Sequence, residues 1–455
     1  MSGGFPLSFR GRLRRLPYIG GTLVILALQY ALVAIAFAAM KQPIVLDWEF
    51  FLLPSRALAA LDGFSGPLIF ASWALVLFAS WALASLSFRR ALDAGASGWL
   101  AAATIAPVVQ LPVILLLWLL PPSAGDDVPP ERAASAVPSR AAIYGVLAGM
   151  ALTVAAVAVG ALVFGAYGYG MFVVSPFLIG AITGYFANRD SVLTMGHTSE
   201  CVALALLLGG VALVAVALEG LVCIVLAAPL ALGAALVGGA LGRAMALARR
   251  PASHSALSIS LIPLMFASEQ VFPPSTRFTT QESIEIAAPA SAVWSALLHM
   301  DRIEEAPALP FRLGVAYPTG AAFIGSGVGA IRLGHFSTGT ATERVTEWVP
   351  DRKLAFTVLS DPPSMRELSP YRHVHAPHVR GYFVTTGTSF ELVPLSPTRT
   401  RIVEQTSHLL KLDPVLYWLP FARLIIHANN ARVLAHLQHA AERDSGAARA
   451  GTNQR

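Results

Sequence analysis

The chain has 455 residues, 55% of them hydrophobic and only 13% charged, with a mean hydropathy of +0.62. A soluble domain carries about 25% charged residues, so a wholly water-facing protein is excluded. The formal net charge of +6 does not imply nucleic acid, because the excess arginines sit at the ends of apolar segments, as in cytoplasmic loops and headgroup contacts.

The deficit of charge is concentrated in the first half. Between Ala141 and Gly242 the only formal charges are Arg189, Asp190, Glu200 and Glu219. Helices satisfy their own backbone hydrogen bonds in lipid, so such a stretch reads as helical spans. The N-terminus resembles a signal peptide, with basic residues before an apolar run. That run, Ile19–Met40, is too long for a cleaved signal and reads as a first span. Spans are expected at Pro17–Met40, Pro67–Phe88 and Trp99–Leu120, with an interfacial helix around Asp47, Trp48, Glu49 and Arg56. They form a block over 1–125, followed by a linker over 126–140.

A second block over 141–245 is expected to hold spans at Ala141–Gly165, Met171–Ala187, Cys201–Leu218 and Leu221–Gly242, seven in all. Positive charge favours the cytoplasm for Arg10, Arg12, Arg14, Arg15, Arg89 and Arg90. Seven spans then put Arg243, Arg249 and Arg250 outside, against the same rule. Ala256–Ala267 is apolar but too short to span unaided, and it falls in a linker over 246–278. The side of the C-terminal domain stays open at this point. The two cysteines, Cys201 and Cys223, give no disulfide framework and read as packing residues.

Residues 279–442 have soluble composition. Ser283–Ala287 alternates as a strand, and Pro289–His299 reads as a helix with Val293, Trp294, Leu297 and Leu298 on one face. Strands are expected at Gly329–Ser337, Thr340–Val349, Lys353–Leu359, Gly381–Leu392 and Thr400–Leu409, then an amphipathic helix over Val415–Ala441. The tail over 443–455 reads as disordered.

This order, with Glu285-Ile-Ala-Ala-Pro-Ala-Ser-Ala-Val-Trp294 and Thr346-Glu-Trp-Val-Pro-Asp-Arg-Lys-Leu-Ala-Phe356, resembles the START-like SRPBCC superfamily, also called polyketide cyclase/dehydrase-like. The resemblance implies a helix-grip fold, an antiparallel sheet wrapped on a long C-terminal helix, which encloses an apolar ligand such as a lipid, fatty acid or polyketide-like molecule. A narrower resemblance, to uncharacterised bacterial membrane proteins, lies in Gly329-Ala-Ile-Arg-Leu-Gly-His-Phe-Ser-Thr-Gly339, Met365-Arg-Glu-Leu-Ser-Pro370, Pro377-His378, Gly381-Tyr-Phe383 and Glu219–Pro229. Phe9-Arg-Gly-Arg-Leu-Arg-Arg15 and Arg89-Arg-Ala-Leu-Asp-Ala-Gly-Ala-Ser-Gly-Trp99 resemble DUF805 membrane proteins, which bring no biochemical activity with them. The sequence departs from that family at Leu92, where a histidine is usual, and at Leu16-Pro-Tyr-Ile19. The whole reads as a multi-pass α-helical protein of the bacterial inner membrane with a C-terminal α+β domain.

On the last strand Ile402, Glu404, Thr406 and His408 share one face. If that face lines the cavity, Glu404 and His408 form a polar anchor or an acid/base pair. If it meets solvent, or the pair is structural, they have no such role. Trp294, Arg332, His335, Arg366, His378 and Tyr382 complete the candidate ligand residues. Strict alternation puts Arg332 and His335 on opposite faces unless Gly334 carries a bulge. His373-Val-His375-Ala-Pro-His378 matches no familiar zinc spacing, so no metal is expected, nor any cofactor. Met365, Arg366, Glu367 and Tyr371 are candidates for a lid. Arg12, Arg15, Arg89, Arg90, Asp93 and Glu219 are candidate headgroup or interface residues. Glu219 either pairs with Arg243 or a headgroup, or sits in a hairpin turn. Nucleotide loops, a nucleophile elbow and an HExxH helix are absent. The leading expectation is membrane-tethered binding of a hydrophobic molecule. The rivals are a cyclase or hydratase using Glu404 and His408, and a non-catalytic scaffold or envelope-stress component that binds another protein.

Overall fold

The structure is a computed structural model that describes residues 7–59, 61, 66–123, 139–248, 261–371, 374 and 376–452. The expected linker over 126–138, the cationic pair Arg249 and Arg250, and His373 and His375 lie outside these residues. The chain divides into two compact units. The first comprises Met1–Pro274, Ser369–Pro377 and Asp413–Tyr417, and the second Ser275–Leu368, His378–Leu412 and Trp418–Arg455.

The first unit is helical: α1 (Arg15–Ala39), α2 (Trp48–Leu52), α3 (Pro54–Ala59), α4 (Gly66–Asp93), α5 (Leu100–Ala103), α6 (Gln110–Leu119), α7 (Arg140–Ala158), α8 (Ser175–Arg189), α9 (Met195–Ala215), α10 (Leu221–Leu247) and α11 (Leu261–Val271). A π-helical turn, Val159–Phe164, ends α7, and another, Gly170–Val174, begins α8. Among the described residues six helices are long and apolar enough to cross a membrane. The third expected span is not among them. Pro107 has no N–H to continue a helix and clashes with the preceding turn, and Val108 takes a left-handed φ of 68°. The apolar stretch breaks there into α5 and α6, and α6 has ten residues, about 15 Å of helix.

Helices α8 and α10 approach closely. A Cβ on Gly180, Gly238 or Gly242 would run into the backbone carbonyl of Ala235, Phe177 or Ala181. Gly180 and Gly184 face Gly238, Gly239 and Gly242 at small-xxx-small spacing, which lets two helical backbones touch in lipid.

The second unit opens with β1 (Thr276–Ile286) and α12 (Ala290–Leu298), followed by a single turn α13 (Leu309–Arg312). Next come β2 (Pro318–Ile324), β3 (Ile331–Phe336), β4 (Gly339–Val349), β5 (Lys353–Ser360), β6 (Phe383–Ser396) and β7 (Arg399–Leu410). The helix α14 (Val415–Thr452) closes the chain. The seven strands are antiparallel, in the order β1-β7-β6-β5-β4-β3-β2. Two strands go beyond the sequence expectation. β2 is new, and β1 begins at Thr276 rather than Ser283. The helix also continues through Arg443–Thr452, where the tail was expected to be disordered. Ala447, Ala448, Arg449 and Ala450 are good helix formers that prolong an existing helix without a new nucleus.

One end of the sheet is filled by hydrophobic side chains. Ile286, Val293, Leu297, Leu354, Phe356, Phe390, Leu392, Ile402, Leu434 and Leu437 form a core between sheet, α12 and α14. Sheet and long helix thus make the helix-grip arrangement: an antiparallel sheet curled around its C-terminal helix.

Candidate functional site

Strand alternation sets up the concave face. On β7 Thr400, Ile402, Glu404, Thr406, His408 and Leu410 are all buried, while their neighbours in sequence are half-buried or exposed. Register then carries the face across the sheet, because directly paired residues point to the same side. Glu404 pairs with Glu282 on β1 and Phe390 on β6. Thr406 pairs with Thr280 and Thr388, and His408 with Phe278 and Thr385. Farther round the curl, Glu343 on β4 pairs with Arg332 on β3 and Val358 on β5.

Polar groups on this face form two clusters. In the first, Thr406 Oγ1 lies 2.7 Å from Thr280 Oγ1, 2.9 Å from His408 Nε2 and 3.3 Å from Asn430 Nδ2 of α14. The His408 ring sits between Phe278 and Phe383, with centroids 5.1 and 5.2 Å away. Burial holds its imidazole down to about 4. In the second cluster Arg332 donates through Nη1 to Glu343 Oε2, and its guanidinium lies 4.6 Å over the Phe356 ring.

Glu404 lies between the two. It is 4% exposed, and its Oε2 has no hydrogen-bond partner among the described residues. Burial pushes its carboxyl well above the usual carboxylate range; Arg332 pulls it down and Glu282 pushes it up, and burial wins. Arg332 lies over Phe356, whose ring is 6.3 Å from that of Phe390, the register partner of Glu404, so β3 and β7, with three strands between them, face one another across the curl. Two further orphans, Arg332 Nε and His408 Nδ1, are buried on the same face.

The other candidates are placed differently. Trp294 packs edge-on against Trp348, 5.5 Å between centroids, inside the hydrophobic core. His335 lies on the opposite side of β3 from Arg332, half-exposed, with Nδ1 3.2 Å from Thr340 Oγ1. Arg366 is exposed on a segment whose backbone N–H donates to Gly314. His378 lies in the turn Pro377–Val379, where its Nε2 is 3.2 Å from Glu367 Oε1. Tyr382 is half-buried just before β6, and burial raises its phenol. The fold therefore brings together Arg332, Glu404 and His408 and leaves His335 and Arg366 apart from them. Glu343, Thr280 and Asn430 belong to the site without having been singled out. Glu343 was within reach of the sequence: a two-residue hairpin at Ser337-Thr338 pairs Phe336 with Gly339, and counting back pairs Arg332 with Glu343.

In the helical unit the headgroup candidates need two corrections. Arg90 is fully buried. It bonds Asp93 and the carbonyls of Leu117 and Leu120, so its donors satisfy the last carbonyls of α6 rather than a headgroup. Glu219 cannot pair with Arg243, because the two lie at opposite ends of α10, about 36 Å apart along the helix. Glu219 instead accepts from the Tyr167 hydroxyl at 2.9 Å, and Arg243 donates to Leu193 O at 3.0 Å. Arg15 is exposed at the start of α1, Arg12 is half-buried, and Arg89 accepts through its carbonyl from Leu13 N.

Residues 6–128 match the family of proteins of unknown function DUF805, and residues 277–442 match polyketide cyclase / dehydrase and lipid transport. No curated protein matches the chain. Among solved structures, truncated norcoclaurine synthase from Thalictrum flavum is 16% identical over 36% of this chain and 93% of its own, with a TM-score of 0.24. The Zhui aromatase/cyclase from Streptomyces sp. R1128 is 16% identical over 38% of this chain and 94% of its own, also at 0.24. A protein from Thermobifida fusca reaches 21% identity over 36% of this chain and 93% of its own, at 0.23. The chain joins a DUF805 domain at its N-terminal end to a polyketide cyclase/dehydrase domain of the SRPBCC type at its C-terminal end.

Proposed function

We propose that this protein is a membrane-anchored binder of a hydrophobic small molecule or lipid, which it holds on the concave face of the C-terminal sheet for transport or sensing. The observation that carries the reading is the Glu404 carboxyl, buried on an aromatic wall with an oxygen that no group satisfies among the described residues. Leaving such a group unmet is costly. A ligand head that meets it turns the cost into specificity, and the apolar wall holds the rest of the molecule. The bilayer is the proposed reservoir, since tethering keeps the domain near its ligand. The full-length protein, extracted and purified beside a Thr388→Trp variant that fills the concave face, tests this by mass spectrometry of the small molecules that co-purify. A lipid-like species present with the wild type and lost with the variant is expected. Identical extracts would sink the reading.

The proposed setting is a bacterial inner membrane with the C-terminal domain on the non-cytoplasmic side. Support comes from the two ends of the helical unit. At one end lie Arg90, Arg189 and Arg243, with Trp99 beside Tyr185; this is the cationic, cytoplasmic end. At the other lie the turns joining α7 to α8 and α9 to α10. Helix α11 finishes there: Glu269 Oε1 accepts from Gly170 N at 2.7 Å, Gln270 donates to Phe164 O, and Arg56 donates to Phe272 O at 3.0 Å. Asp413, Tyr371 and Tyr417 meet the same end, bonding Arg56, Ala215 and Leu226. Helix α10 ends at the cationic end and α11 at the opposite one, which supports a non-cytoplasmic side for the domain that follows. A membrane-impermeant maleimide on intact spheroplasts tests this, with Cys201 and Cys223 replaced by alanine and Ser396→Cys as the reporter. Labelling without permeabilisation is expected; labelling only after it would reverse the orientation.

A further inference from the structure

Among the described residues Arg332 is the only buried arginine on the strands of the concave face, and His427 of α14 meets Glu282 there. Facing Arg332 are Glu343, Glu404 and Glu282, and Asp361 at the end of β5 is close enough to feel Glu343. A carboxylate or phosphate entering this face would bring negative charge beside Glu343, which already engages Arg332. An ammonium head would meet Arg332 from the front. Net charge of either sign is therefore disfavoured, and desolvation adds to the cost.

The hydrogen-bonding groups make a narrower demand. Arg332 Nε carries a hydrogen and can only donate, and it has no hydrogen-bond partner among the described residues. Burial pushes the Glu404 carboxyl well above the usual carboxylate range and so favours its neutral form, which has a hydrogen to donate as well. The two approach from opposite sides of the curl. Between them run Phe390, the register partner of Glu404, and Phe356, beneath Arg332, with ring centroids 6.3 Å apart. Two donors above an aromatic floor suit one oxygen atom with two lone pairs.

Resting on the concave-face reading above, we infer that the ligand is an uncharged apolar molecule with a carbonyl or hydroxyl oxygen at its head. That oxygen is held between Arg332 Nε and the Glu404 carboxyl, in preference to any carboxylate, phosphate or amine. A hydroxyl head can in addition donate to the carbonyl oxygen of the Glu404 carboxyl, so both head groups fit the same two residues.

The test uses full-length protein in nanodiscs of dioleoylphosphatidylcholine and three probes matched in chain length: 2-heptadecanone, palmitate and hexadecylamine. Bound probe is counted by mass spectrometry after gel filtration, with empty nanodiscs subtracted. The ketone is expected to bind at least about tenfold more tightly than palmitate or the amine at pH 7. Glu404→Gln keeps a donor and is expected to hold the ketone within about twofold, whereas Glu404→Leu loses about tenfold. Palmitate or hexadecylamine binding as tightly as the ketone would overturn the inference and leave the concave-face reading standing. Saturable binding of none of the three would overturn both.

Discussion

Replacing Glu343 by alanine is expected to destabilise the C-terminal sheet by about 3–5 kcal/mol, the usual cost of stranding one member of a buried ion pair. The pair qualifies as buried: the side chains of Arg332 and Glu343 are 9% and 6% exposed. Hairpin register sets them side by side on β3 and β4, and Phe356 lies beneath the guanidinium. Burial raises the Glu343 carboxyl although Arg332 lowers it. The pair is thus held in place by the surrounding fold against its own desolvation, and it supplies little net stability. Removing both charges together, as in Arg332→Met with Glu343→Leu, is accordingly expected to cost far less than removing one. Hydrogen exchange of peptides from β3 and β4 in the full-length protein measures both variants. A single substitution as mild as the double one would show that the pair is hydrated.

The C-terminal domain is expected to lose about 3 kcal/mol between pH 6.5 and pH 4 through His408 alone. In the unfolded chain this imidazole titrates near 6.5, and in the folded domain burial holds it down to about 4. At about 1.4 kcal/mol per unit, the difference gives that figure. The folded state prefers the neutral ring. Its contribution is whole above pH 6.5, falls as the unfolded chain begins to bind the proton, and is lost as pH drops through about 4. Asp361 acts with the opposite sign. Burial raises its carboxyl to about 6, although the Thr385 N–H opposes the rise and Glu343 adds to it. Its contribution is whole below 3.8 and is lost as pH rises through about 6. His408→Phe keeps a ring between Phe278 and Phe383 and removes the proton site together with the Nε2 contact to Thr406. Denaturant titrations of wild type and variant across pH 4–7, followed by hydrogen exchange of β7, should differ in slope by this amount. Parallel curves would place the acid sensitivity elsewhere.

Much of the fold was legible because it depends on neighbours in sequence. Long uncharged stretches had to be helices in lipid, and α1, α4, α7, α8, α9 and α10 lie where the apolar runs predicted them. Alternation along Thr400–Leu409 put Ile402, Glu404, Thr406 and His408 on one face, and the structure buries that face. The motifs at Phe9–Arg15, Arg89–Trp99, Glu285–Trp294 and Thr346–Phe356 pointed to the two families that match. The expected third span failed for a local reason that was also present in the sequence. Pro107 outweighs the hydropathy of the residues around it.

What the sequence could not supply was distance between residues far apart along the chain. Nothing at Arg90 announces that its guanidinium is spent on the carbonyls of Leu117 and Leu120, because capping depends on where another helix ends. Apolar length alone does not say at which end of the helical unit α11 finishes; in the structure Glu269 and Gln270 lie against the turn between α7 and α8. The polar character of the concave face is likewise tertiary. Alternation says which way Glu404 points, but only the curl of the sheet brings it within the field of Arg332, with three strands between them. Periodicity is set by backbone geometry and can be read one strand or helix at a time. Electrostatics and unmet hydrogen bonds are set by what the closed fold brings near and what it shuts out.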